Sequence, residues 1–234
     1  MLRWRGLPIQ LFILTILPLT LLLLGIAFGS LFLHQQSMRQ LVGERDERAT
    51  RAAASAISEQ LKHRAAATRS LALRAADLGS TEHVIADAVF LLPDFDGGIA
   101  LYDAGSDLLG TSNDSATWEL TVVPEQLAAA TAPPNTAQFS GPFRDPVSGQ
   151  EMILVTATTP EGITAAGAFS PASLAEKALD DIFVSGDHAS SVLTDENGRL
   201  LFQMGDQHEP GSDLSSYAGV ADGLKGQSGT IYNT

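Results

Sequence analysis

No charged residue occurs between Gly6 and Leu33, and Leu11–Leu33 is almost wholly apolar. About 20 such residues cross a hydrocarbon core about 30 Å thick as a helix. Pro8 and Pro18 are compatible with that, because neighbouring groups re-satisfy the freed backbone carbonyls. A cleaved signal peptide is the competing reading, since Ala27-Phe28-Gly29 has the small residues of a cleavage site. Against it, the apolar core exceeds the roughly 7–15 residues of such peptides and continues through Leu31-Phe32-Leu33. Residues 1–33 are therefore read as a short cytoplasmic tail and an uncleaved transmembrane helix, with the lipid bilayer as a partner. Arg3 and Arg5 flank it on one side, and His34, Arg39 and mixed charges on the other. The positive-inside tendency puts the N-terminus in the cytoplasm and residues 34–234 outside it, anchored to the inner (plasma) membrane.

Beyond the span, one pattern occurs twice. Gly98–Ser112 (GIALYDAGSDLLGTS) and Ser190–Gln203 (SSVLTDENGRLLFQ) align without a gap at a single offset, that from Asp103 to Asp195. Leu101 falls on Leu193, Leu108 on Leu200 and Leu109 on Leu201. In each copy an apolar run meets an aspartate and a small-residue turn, then a second apolar run follows. Asx side chains bond the local backbone and Gly tolerates positive φ, so the pattern predicts a β-hairpin. Two hairpins about one small domain apart predict two tandem modules of one architecture.

The connecting chain fits that scheme. Gln35–Leu78 is rich in Ala, Arg, Glu, Gln and Leu and lacks proline, which predicts one long helix leaving the membrane. Leu41, Ala49, Ala52, Ala53, Ala56, Ile57 and Leu61 form a shallow apolar stripe, and Glu44 and Arg48 stand four apart in the favoured order. Such a stripe packs either on a partner chain, giving a homodimer through residues 34–79, or on the chain's own domain. Gly79-Ser80 stops the helix, and Thr81–Phe90 can form a short one. Strands are predicted near Gly98–Tyr102, Asp107–Thr111, Thr136–Ser140, Gln150–Thr158 and Ile163–Phe169. Helices are predicted at Pro124–Ala130, Pro171–Ile182 and Val220–Leu224. Ser228–Tyr232 begins a further strand. The boundaries are 80–184 for the first module and 185–234 for the start of a second, truncated one, so the chain reads as the N-terminal part of a longer protein.

In that order, and with the run Gly141–Leu179 (GPFRDPVSGQEMILVTATTPEGITAAGAFSPASLAEKAL) between the hairpins, the chain resembles the double Cache sensor domain of bacterial transmembrane receptors, such as sensor histidine kinases or chemotaxis receptors. The likeness covers most of Gln35–Thr234. It implies an α+β fold of two PAS-like modules along a long helix, the first distal from the membrane and holding a small ligand. It also implies a second span and a cytoplasmic output absent from this chain. Members that bind amino acids use an RxWYxxA run. Here Trp118 stands in Thr117-Trp118-Glu119 without that arginine or tyrosine, and the acidic position after the last distal strand falls near Phe169.

Tyr102, Trp118 and Arg144 are the candidate ligand-binding residues, since such pockets are largely apolar with a few polar groups. The competing reading is core packing for the two aromatics, and pairing with Asp145 or solvent for the arginine. Asp206, His208, Glu209 and Asp213 share one loop but match no metal-ligand spacing. Asn113-Asp114-Ser115 is formally a glycosylation sequon. The sequence has no GxSxG, P-loop or HExxH, and no cysteine, so neither catalysis nor a cofactor is expected. The net charge of −13 argues against nucleic acid, whose phosphates need a basic surface. The leading reading is a ligand-sensing input of a receptor; the alternative is a single-span anchored scaffold.

Overall fold

The computed structural model describes residues 12–79, 81–113, 118–119, 125, 127, 133–179, 191–204, 208–209 and 211–227. The chain divides into one unit up to Arg48 and a second from Ala49 onward. In the first, a π-helical turn, Phe12–Ile16, leads into α1 (Leu17–Leu78). Its apolar side chains, among them Leu22, Phe28 and Phe32, are exposed, and the helix is long and apolar enough to cross a membrane. Thr20 donates its hydroxyl to Ile16 O (2.8 Å), so even this polar group is satisfied within the segment.

In the second unit α1 ends at Gly79, whose positive φ of 62° lets its N–H reach back to Ala75 O (3.2 Å). α2 (Thr81–Asp87) follows, then a 3₁₀ segment, Ala88–Asp94. The expected helix to Phe90 thus gives way to a tighter turn that contains Pro93, which has no N–H to continue an α-helix. The strands are β1 (Gly98–Tyr102), β2 (Leu108–Thr111), β3 (Ala137–Phe139), β4 (Phe143–Arg144), β5 (Glu151–Thr158) and β6 (Thr164–Phe169). They form an antiparallel sheet in the order β2-β1-β6-β5-β3, with β4 also on β5. α3 (Pro171–Leu179) then leads on, and β7 (Ser191–Thr194), β8 (Leu200–Met204) and α4 (Ala218–Leu224) complete the described elements. These bounds match the predicted strands and helices to within about two residues where both are described. The expected helix Pro124–Ala130 and strand Ser228–Tyr232 lie largely or wholly outside the described residues.

Side chains alternate across a strand, and here both faces of the sheet are covered. Ile99, Leu101, Ile153, Val155 and Phe169 pack with Leu71, Ala72 and Ala75 of α1 and with Val84 and Ile85 of α2. Ala100, Tyr102, Met152, Leu154, Ala166 and Ala168 point the other way, toward Trp118 and Phe143. Each large apolar side chain fully buried this way contributes about 1.5–3 kcal/mol. Four of the six residues of β6 are Ala or Gly, and at Gly167 the reason is space: a Cβ there would come within 2.5 Å of the Phe95 ring.

α1 also presents a buried charge to the first face. Arg64 is fully buried; its Nε donates to Asp94 O (2.9 Å), one terminal nitrogen to Gln60 Oε1 (3.1 Å), and its guanidinium lies 4.8 Å from the Phe169 ring centre. Burial lowers its affinity for the proton, and the charges of Asp94 and Asp96 oppose that shift. The other terminal nitrogen has no partner among the described residues.

The two hairpins match bond for bond. Ala100↔Thr111, Leu101↔Gly110 and Tyr102↔Leu108 in β1–β2 correspond to Val192↔Gln203, Leu193↔Phe202 and Thr194↔Leu200 in β7–β8, with the register shift after Leu101 and after Leu193. Asp103 accepts from the N–H groups of Gly105 and Asp107, as Asp195 does from Asn197 and Arg199. Ser106 and Gly198, at equivalent turn positions, both have positive φ. Leu193, Phe202 and Met204 rest on Ala53, Ala56 and Ile57 of α1 and on Ala175 and Ala178 of α3. That part of the alanine stripe therefore covers the chain's own domain.

Candidate functional site

A cavity of 270 Å³ opens on the face of the sheet opposite α1. Its apolar wall is Trp118, Phe143, Met152 and Ala168. Its polar groups come from three connections. Asp96 and Gly97 precede β1, Asn113 follows β2, and the β4–β5 turn brings Asp145, Ser148 and Gln150.

Each connection is pinned by local bonds. Asp96 accepts from Ser170 N (2.8 Å) and Ser170 Oγ (2.6 Å), which ties it to the start of α3. Gly98, at φ +89°, leaves the space that Asn113 fills: a Cβ would sit 2.5 Å from Asn113 Oδ1. Asn113 donates Nδ2–H to Gly97 O (3.0 Å), and its Oδ1 accepts from Trp118 Nε1 (2.6 Å) and Thr111 Oγ1 (2.9 Å). Trp118, 0% exposed, is thereby held in one orientation. Asp145, 4% exposed, closes its own turn: Oδ2 accepts from Ser148 N (2.9 Å) and the Ser148 hydroxyl, and Oδ1 from Val147 N (3.3 Å).

Of the residues expected at a pocket, Tyr102 and Trp118 come together and Arg144 does not join them. Tyr102 donates its hydroxyl to Trp118 O (3.1 Å) from beside a separate 40 Å³ void. Burial pushes its phenol well above its usual proton affinity, with Glu119 adding to the effect. Arg144 donates Nε–H to Gly149 O (2.9 Å) and does not line the cavity; neither is it paired with Asp145. The expectations for these three residues passed over Asp96, Asn113, Asp145 and Gln150. For Asp96 and Asp145 the signal was present in the sequence as the turn runs Asp-Phe-Asp-Gly-Gly and Asp-Pro-Val-Ser-Gly; Asn113 and Gln150 lie outside those runs.

A larger groove of 710 Å³ runs along β7 and α4, beside Val192, Leu214, Tyr217 and Val220. It carries no buried carboxylate or fixed indole; Val192 and Tyr217 are exposed, so the smaller cavity is the better candidate site. Nearby, the ring of His208 stands edge-on to Tyr217, and hydrogen bonding from the Ser215 side chain, with Ser215 N–H (2.9 Å) adding to it, lowers the proton affinity of Asp213. Among the described residues no group of acids and histidines converges as a metal site, and Asp206 lies outside them.

No family model and no curated relative matches the chain. Solved structures do. The ligand-binding domain of the Pseudomonas fluorescens chemoreceptor CtaA in complex with L-valine is 17% identical, with a TM-score of 0.57 over 77% of this chain and 80% of that one. The ligand-binding domain of the Pseudomonas aeruginosa PAO1 amino acid chemoreceptor PctB in complex with L-Gln is 15% identical, with a TM-score of 0.54 over 72% and 70%. That of the PAO1 amino acid chemoreceptor PctC in complex with GABA is 16% identical, with a TM-score of 0.51 over 76% and 82%. At such identities the likeness carries the fold alone, and the fold is that of the Cache-type ligand-binding domains of bacterial amino acid chemoreceptors.

Proposed function

We propose that the chain is the extracytoplasmic small-ligand sensing input of a membrane-anchored receptor, with the cavity beside Trp118 as its ligand site. The observation that carries this reading is the two-sided sheet: α1 packs on one face and a cavity with an immobilised indole and a buried carboxylate lies on the other. Asp96 and Gly97 line the cavity, and the neighbouring Asp94 carbonyl receives the Arg64 guanidinium from α1, so a ligand that moves one moves the other. A ligand biases two helix arrangements only by its differential affinity for them. In this reading the N-terminus is cytoplasmic, residues 80–184 form the distal module and 185–234 begin a proximal one. The output lies in the cytoplasm, and paired chains meet through residues 34–79. The small amino-acid-sized ligands of the similar domains suit a cavity of this size.

The test is a ligand-library thermal-shift screen of the full chain in lipid nanodiscs, followed by titration of each hit against Trp118→Ala. At least a tenfold loss of affinity is expected. Hits that bind Trp118→Ala as tightly as the unmodified chain would refute the site, and an absence of hits would favour a scaffold role.

A further inference from the structure

The polar lining of the cavity is acidic and amidic, and the stretch of chain that builds it is almost without cations. Arg144 is the one lysine or arginine between Arg74 and Lys177, against fourteen aspartates and glutamates in the same stretch. This holds for every segment there, including Asp114–Thr117 and Leu120–Ala132, which also carry no lysine or arginine. Arg144 is turned onto Gly149 O, Arg199 is paired with Glu151 (2.7 Å), and Arg64 lies against the opposite face of the sheet, where its charge is drawn to Asp94 and Asp96. None of the three lines the cavity.

A ligand carboxylate brought here would lose its water without gaining a cationic partner, and would stand beside two like charges. An unpaired buried charge is costly, and its compensation by a single hydrogen bond is incomplete. An ammonium meets the reverse situation. Asp145 has no ion-pair partner among the described residues, and its Oδ1 accepts only the long contact from Val147 N. Each oxygen of Asp96 accepts one bond from Ser170, and a carboxylate oxygen can accept two. Trp118 and Phe143 add aromatic rings of the kind that attract cations. The acidic surround draws a cation in and repels an anion, a long-range effect that salt weakens. A volume of 270 Å³ equals about nine water molecules' share of the liquid, at about 30 Å³ each, which limits the ligand to a small one.

We propose that this cavity takes a small organic cation, an amine or quaternary ammonium that carries no carboxylate, in preference to an α-amino acid. The proposal rests on the cavity beside Trp118 being the ligand site. Matched probes test it: isobutylamine with L-valine, putrescine with L-ornithine, and choline with glycine betaine, each pair differing in a carboxylate. Isothermal titration of the full chain in nanodiscs is expected to give at least tenfold tighter binding for one or more of the amines than for its carboxylated counterpart, weakening as salt is raised. Gln150→Arg, an exposed substitution at the cavity rim, is expected to narrow or invert that preference without lowering the unfolding temperature.

Tighter binding of the carboxylated members, or no binding by any of the three amines, would overturn the proposal. If a carboxylated probe binds and Trp118→Ala abolishes it, the site stands and only the ligand class falls. If an amine binds Trp118→Ala undiminished, the site itself falls.

Discussion

Tyr102 shows how one side chain ties stability to pH. Its phenol is buried and hydrogen-bonded to Trp118 O, and both burial and Glu119 hold it protonated beyond its normal range. A group whose proton affinity is raised by folding contributes fully below its unfolded pKa, about 10 for tyrosine, and loses that contribution as pH rises through the folded value. Urea unfolding of the unmodified chain is therefore expected to show stability declining from about pH 10 upward. Tyr102→Phe, weaker by about 1 kcal/mol at neutral pH for the lost hydrogen bond, is expected to show a shallower decline. An identical alkaline slope in both would contradict this.

At the same scale lies the reason Arg144 does not line the cavity while Asp145 does. Phe143, Arg144 and Asp145 are consecutive, and successive strand side chains point to opposite faces. Phe143 is buried toward Trp118, so its neighbour Arg144 turns away and Asp145 turns in again. The alternation was legible from an apolar residue beside a charged one. What was not legible is that a turn-closing aspartate would also be a wall of a cavity, because that depends on β1, β2 and β6 arriving from distant sequence.

The hairpins are the elements on which the sequence was most informative. Their apolar runs and Asx turns predicted the pairing, and β1–β2 and β7–β8 have one register. Their sequences differ at the position that needs a left-handed backbone: Ser106 at φ 67° in one, Gly198 at φ 83° in the other. A side chain there costs roughly 1–2 kcal/mol, offset in part by the greater chain entropy of glycine in the unfolded state. Ser106→Gly is expected to leave the unfolding midpoint unchanged or raise it by up to about 1 kcal/mol of stability. Gly198→Ala is expected to lower it by about 1–3 kcal/mol, because the new Cβ would also stand 2.8 Å from Ser215 Cα. Thermal denaturation of the two variants in nanodiscs measures the contrast, and equal shifts would contradict a left-handed penalty at this turn position. The 3₁₀ segment was less legible, since Val84, Ile85 and Leu91 continue an apolar pattern through a geometry that Pro93 changes.

For the whole molecule, the absence of native cysteine makes the proposed topology directly measurable. With Ser37→Cys, a membrane-impermeant maleimide is expected to label intact cells; with Gly6→Cys, labelling is expected only after permeabilisation. The opposite pattern would reverse the assigned orientation. The apolar span and the helical composition after it were legible because both are local properties. The destination of the alanine stripe was not, because Ala53 could have met a second chain as readily as it meets Ala175 and Ala178.

Arg64 has a consequence for how α1 can travel. A screw displacement of α1 by one residue, about 1.5 Å along its axis, would swing its guanidinium about 100° around the helix, away from the Asp94 carbonyl and the Phe169 ring. Intermediate positions would strip the buried guanidinium of these partners, which opposes smooth gliding. The helix either carries the Asp94–Gly97 corner along with it as one rigid piece, or jumps by a full turn to a new seat.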